Sequence, residues 1–198
     1  TNSASGSKIV PVCFSTFKVS TAKSESETEP ENDSTVAEPP VSFNSAAPFF
    51  KANTLLGCVK LTFANAFPEN IDELISQSID LSSIPETEDI TLSFRYAYRS
   101  RPSAGYELLK VFVSKDCGEV WSQKKTLGGN QLGSENSNTS WYPTSSSDWK
   151  TVHVTNINES FYTPGFRMRF RFEGDGGNNL YLDDINIYQG GPSDELVT

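Results

Sequence analysis

Two aspartates stand side by side, Asp183 and Asp184, in "NNLYLDDINIYQGG", a run otherwise rich in apolar and β-prone residues. In an extended strand neighbouring side chains point to opposite faces, so the spacing predicts one carboxylate aimed inward and the other outward. A desolvated carboxylate needs a cation, and Ca²⁺, which takes several oxygen ligands, is one that would serve. The preceding loop "EGDGGNN" adds Asp175, Asn178 and Asn179 as hard oxygen donors, without the regular acid spacing of a calcium loop.

Arginines form the second pattern. In "FRMRFRF" alternation sets Phe166, Met168, Phe170 and Phe172 against Arg167, Arg169 and Arg171, and in "LSFRYAYR" it sets Leu92, Phe94, Tyr96 and Tyr98 against Arg95 and Arg99. If both strands belong to one sheet, these guanidinium groups share a solvent face able to hold carboxylated or sulfated polysaccharide through bidentate bonds. The alternative is a solvated face whose arginines pair with acids on neighbouring strands. Trp141, in a Ser- and Asn-rich loop, is the candidate for an exposed sugar-stacking platform, whereas Trp121 and Trp149 read as packing anchors.

Signs of catalysis are missing from the sequence. No HExxH helix, GxSxG elbow or phosphate-cradling glycine loop occurs, and the single histidine, His153, sits between two valines in "WKTVHVTNI" as a strand residue would. Cys13, Cys58 and Cys117 lack the paired spacing of a zinc site; at most one disulfide can join them, and three pairings are open. The expectation is a chain that is not an enzyme.

The elements that must position these residues read as β throughout. "GCVKLTFANA", "DELISQSIDL", "DITLSFRYAYRS", "YELLKVFVS", "WKTVHVTNI", "GFRMRFRFEG" and "NLYLDDINIYQ" are apolar or alternating segments bounded by turn residues, and Trp121 starts a return strand after the "KDCGE" turn. The count is seven or eight strands, with one or two more in "KIVPVCFSTFKV". "PENIDELISQSI" could instead form a short helix. The predicted architecture is all-β, a two-sheet antiparallel sandwich of jelly-roll, galactose-binding-like type. Residues 21–40 carry six acids, three prolines and one lysine, with little to bury, and read as an exposed loop between an N-terminal strand segment (1–20) and the sandwich (41–191), which ends in a tail (192–198).

A net charge of −9 and a pI near 4.6 argue against nucleic acid and anionic membrane as partners, and no apolar run is long enough for a membrane span. The first residues lack the apolar core of a signal peptide, so either the protein is cytosolic or its start is a processing boundary. The N-x-S/T triplets at Asn32, Asn138 and Asn158 have meaning only on a eukaryotic secretory route.

In order, "DELISQSIDLSS", "TLSFRYAYRS", "LKVFVSKDCGEVWS", "SSSDWKTVHVTNI" and "FRFEGDGGNNLYLDDINIY" resemble the cleaved-adhesin and MAM-like jelly-roll modules of secreted Bacteroidetes proteins, over roughly residues 50–190. Such modules are often appended to cytophagalysin-type (pappalysin-like) metallopeptidases, and "TNSASGSKIV" looks like the last strand of a preceding PKD-type domain. The resemblance implies a secreted or cell-surface location and an accessory or adhesion role beside neighbouring domains of the same polypeptide. It also implies a calcium shared by an acid near the first strand and an aspartate of "DDI". Here "FSTFKV" offers Ser15 and Lys18 in place of that acid, so the Lys18 ammonium could stand where the metal would be. A carbohydrate-binding module acting on polysaccharide or on a host or matrix glycoprotein is the alternative function, and a structural spacer is the third.

Overall fold

The structure, a computed structural model, describes residues 9–10, 16–18, 58–61, 70–102, 106–133 and 135–193. Among the described residues ten strands build two antiparallel sheets. They are β1 (Ile9–Val10), β2 (Thr16–Lys18), β3 (Val59–Leu61), β4 (Asn70–Ile75), β5 (Ile90–Ala97), β6 (Leu108–Ser114), β7 (Ser122–Gly128), β8 (Trp149–Ile157), β9 (Arg167–Gly174) and β10 (Leu180–Gln189). One sheet, A, runs β1-β10-β5-β8 with β3 also on β10; the other, B, runs β2-β4-β9-β6-β7. Successive strands from β4 onward mostly cross between the sheets, which is the jelly-roll sandwich expected. The segment read as a possible helix is instead β4, and residues 9–18 supply one strand to each sheet.

The core lies between the inner faces; burial alternates along β9 and most of β6, while β5 is buried on both faces. Leu92, Phe94, Tyr96 and Tyr98 of β5 and its continuation meet Phe166, Met168, Phe170 and Phe172 from the β9 side, all buried. Phe94 packs edge-on to Phe170 with centroids 4.9 Å apart, and Tyr98 edge-on to Phe172 at 5.6 Å, the geometry favoured by aromatic quadrupoles.

Both sheets end on the same side, with β7 and β8 as edge strands. They are joined there by a reciprocal side-chain clasp: Lys124 Nζ donates to the Asn156 carbonyl at 3.0 Å, and Asn156 Nδ2 donates to the Lys124 carbonyl at 3.2 Å. The Lys124 ammonium also lies 4.2 Å from the centre of the Phe161 ring. A lysine on an edge strand discourages pairing with another chain, and here the same residue ties the two edges together.

The turn after β6 is as the sequence requires. Gly118 takes φ +95°, and Cys117 before it takes φ +58°, held by the Cys117 amide donating to the Gly165 carbonyl at 2.8 Å. Cys58 and Cys117 are free thiols, while Cys13 lies outside the described residues.

Candidate functional site

Asp183 and Asp184 do not face opposite ways. Asp183 is in register with Arg95 of β5, and both project from the outer face of sheet A, away from the core. Between Asp183 and Asn186 the register slips by a β-bulge, and Asp184 sits at φ +47°, a left-handed conformation that aspartate tolerates better than most residues. The Asp184 amide donates to Asp183 Oδ1 at 2.9 Å, and Asn186 Nδ2 donates to the Asp184 carbonyl at 2.9 Å, so local side-chain bonds hold the bulge. The extra residue swings the second carboxylate onto the same face as the first.

Their cation is Arg95. Its Nη1 lies 3.5 Å from Asp184 Oδ2, its Nη2 donates to the Ser146 carbonyl at 3.4 Å, and its guanidinium lies 5.9 Å from the Trp149 ring centre. Burial raises the pKa values of both aspartates above the usual carboxylate range, and for Asp184 the neighbouring Asp183 charge adds to this; Arg95 works against both shifts. Lys18 stands on the edge strand of sheet B, in register with Glu73, and its side chain lies outside the described residues. The expected split of one inward and one outward carboxylate gives way to an outward pair with Arg95 beside it. Among the described residues no three acidic, histidine or cysteine side chains converge as a ligand set.

Farther along the same face the loop "WYPTSSSDW" folds back over the sheet. Asp148 organises it by accepting from the amides of Thr144 and Ser145, each at 2.9 Å, and from the Ser145 hydroxyl at 3.1 Å. Burial would raise its pKa, yet these donors together with Arg99 hold it below the usual range. Arg99 Nη2 is 3.0 Å from Asp148 Oδ1 and 3.0 Å from Glu135 Oε2, and its guanidinium lies 5.0 Å from the centre of the Trp141 ring. Trp141 also meets Tyr181 edge-on at 6.2 Å, and the Tyr181 hydroxyl donates to the Trp141 carbonyl at 3.2 Å. Trp141 is therefore half-buried, its ring held by contacts with Arg99 and Tyr181. Tyr142 beside it is 57% exposed.

The arginines do not share one face. β5 lies in sheet A and β9 in sheet B, so Arg95 and Arg99 are on the opposite outer surface from Arg167, Arg169 and Arg171. On sheet B, Arg169 pairs with Glu73 at 3.2 Å, and its guanidinium lies 4.5 Å from the centres of both the Phe112 and Trp121 rings. Arg171 reaches Glu173 at 3.0 Å and Glu73 at 3.9 Å, and Arg167 donates to the Ser78 hydroxyl at 3.0 Å. These contacts correspond to the paired-face alternative. His153, in register with Ser93, is a half-buried strand residue.

Asp175 lies apart from both aspartates of β10, in the β9–β10 loop beside Glu107, a residue that sequence reasoning passed over. Glu107 is 5% exposed, and its carboxylate lies flat against Gly177, where an added Cβ would fall 1.6 Å from Oε1. Glycine is required at this close approach. Burial pushes the Glu107 pKa up to about 7; the amides of Gly177 and Asp175 pull it down, while the Asp175 charge adds to the rise. Oε1 has no hydrogen-bond partner. Asn178 is fully buried, accepting from Arg101 Nε at 3.3 Å and donating to the Ser137 carbonyl at 3.4 Å, and Asn179 bonds to Tyr181. Asn178 and Asn179 thus tie the loop into the fold through hydrogen bonds. Glu135, Asp148, Tyr142 and Tyr181 were also not singled out, although the Ser-x-x-Asp spacing of "SSSDW" is a capping signature readable in the sequence.

No protein-family profile matches the chain, and no curated protein matches it. Solved structures overlay on part of it. CBM27-1 of Caldicellulosiruptor saccharolyticus, in complex with mannohexaose, is 16% identical with a TM-score of 0.41, over 65% of this chain and 72% of that one. A structure described by the promiscuous specificity of carbohydrate-binding modules from the β-sandwich superfamily is 13% identical with a TM-score of 0.42, over 66% and 52%. The mannan-recognising module TmCBM27 is 10% identical with a TM-score of 0.40, over 68% and 73%. Overlays this slight carry no argument; the fold rests on the strand pairing and the site on its side chains.

Proposed function

We propose that the chain is a non-catalytic carbohydrate-binding module of a secreted or surface-attached protein, binding through the outer face of sheet A. The observation that supports it is the mounting of Trp141, whose ring contacts Arg99 and Tyr181 next to the exposed ring of Tyr142. An aromatic ring held in place can stack on the apolar face of a sugar without losing rotamer freedom on binding. Around it Glu135, Asp148 and Arg99 supply polar groups of the kind that orient a polyhydroxyl ligand.

The test is retention of the whole chain in affinity electrophoresis through gels containing soluble polysaccharides, for the wild type, Trp141→Ala and Tyr142→Ala. Truncating an anchoring aromatic removes about 2 kcal/mol or more of binding, roughly thirtyfold in affinity. Tyr142→Ala is the cleaner probe because its ring makes little of the fold. Wild-type migration unaffected by every polysaccharide would sink the reading.

A further inference from the structure

We infer that the ligand is an uncharged polysaccharide, and that the arginines of this face are scaffold for the aromatic site rather than receptors for anions. The inference rests on the carbohydrate reading above and settles a choice that the arginine pattern of the sequence leaves open.

A guanidinium recognises a carboxylate or sulfate by offering a free fork of two parallel N–H donors. Neither arginine of the face presents one. Arg95 is 11% exposed in its side chain, with Nη1 toward Asp184 and Nη2 on the Ser146 carbonyl. Arg99 has both Glu135 and Asp148 on Nη2 and its guanidinium over the Trp141 ring at 5.0 Å. Charge counting agrees. Two arginines and Lys60, which shares the face by its register with Tyr181, meet four carboxylates: Asp183, Asp184, Glu135 and Asp148. The surface is balanced to slightly acidic on a chain of net charge −9, so an anionic polymer would approach against the field.

On sheet B, Arg169 and Arg171 are likewise occupied, and Arg167 has its Nε on the Ser78 hydroxyl. Glu73 and Glu173 neutralise Arg169 and Arg171, Glu173 also takes Lys110 at 2.7 Å, and the Arg169 guanidinium lies close to two aromatic rings. A neutral glycan needs none of these groups released. Its C–H faces can lie on Trp141 and Tyr142, and its hydroxyls can donate to Glu135, which is 67% exposed in its side chain.

The experiment compares the whole chain on galactomannan, mixed-linkage β-glucan and xylan with polygalacturonate, alginate and chondroitin sulfate, at 20 mM and 500 mM NaCl. The expected result is retention by at least one neutral polymer, with affinity changing less than about twofold between the salts because no ion pair forms on binding. A companion variant, Glu135→Gln, frees part of the Arg99 fork and should gain retention on polygalacturonate that salt removes. Wild-type binding to anionic polymers alone, falling tenfold or more with salt, overturns this inference and leaves the carbohydrate reading intact. Binding to no polymer of either class overturns both.

Discussion

At the scale of single residues, the Asp183–Asp184 pair turns on one backbone angle. With a regular strand the two carboxylates would split between faces, whereas the bulge and the φ of +47° at Asp184 bring both to Arg95. Arg95→Met should therefore destabilise the fold by about 1–3 kcal/mol, the cost of leaving partly buried carboxylates unpaired. Asp183→Asn with Asp184→Asn in the same background should restore much of that loss, which urea unfolding of the three proteins would measure. The same pairing predicts that the thermal midpoint changes little with calcium or chelator. A calcium-induced rise abolished by Asp183→Asn would instead place the ion on this bulge. Glu107 gives a pH signature. Its folded pKa of about 7 lies above its ordinary 4.5, so the folded state holds a proton that the unfolded state releases between these values. Its contribution is then fully present below about pH 4.5 and is lost as pH rises to 7, up to about 3 kcal/mol in all. Glu107→Gln should flatten that descent in melts run from pH 5 to 8.

At the scale of elements, alternation explains which strands were legible. β5, β6, β8 and β9 match their apolar periods, because one face of each is buried between the sheets. β7 carries "SQKKT", polar and exposed along most of its length, and shows in the sequence only through the turn before it. Its place in the fold depends on pairing with β6 and on the clasp to β8. Asn156→Ala should loosen that clasp at a cost of about 1 kcal/mol, read as faster amide exchange along β7 and β8 with the rest of the sandwich unchanged. Phe170→Ala should cost about 3–5 kcal/mol in denaturant unfolding, since the ring is buried and no neighbour can refill its space against Phe94. The arginine stripes hold strand by strand, and the condition for a shared face, both strands in one sheet, is not met. Periodicity places residues on a face of their own strand and says nothing about which sheet that strand joins.

For the whole molecule, the groups with shifted acidities pull in two directions. Glu107, Asp183 and Asp184 lie above their ordinary range and favour folding more at lower pH, while Asp80, Asp116 and Asp148 lie below theirs and withdraw stability once they are protonated. Self-repulsion at a net charge of −9 adds to the decline on the alkaline side. Calorimetry from pH 3 to 8 should accordingly find the highest melting temperature near pH 5 rather than at neutrality. A midpoint still rising at pH 8 would contradict that balance.

Periodicity, turn residues and composition by themselves determined an all-β sandwich, the inner and outer faces of most strands, and an acidic chain without a catalytic motif. Those features depend on neighbours along the chain, where side chains alternate every two residues. Tertiary structure alone decided that a bulge turns Asp184 to join Asp183, that Arg95 is their counterion, and that the five arginines divide between two surfaces. It also decided that the Trp141 ring contacts Arg99 and Tyr181, which lie 42 and 40 positions away in sequence. The physical reason is that counterions and aromatic partners are set by strand order and register. Those are fixed by how the two sheets bury their shared core, not by any local spacing.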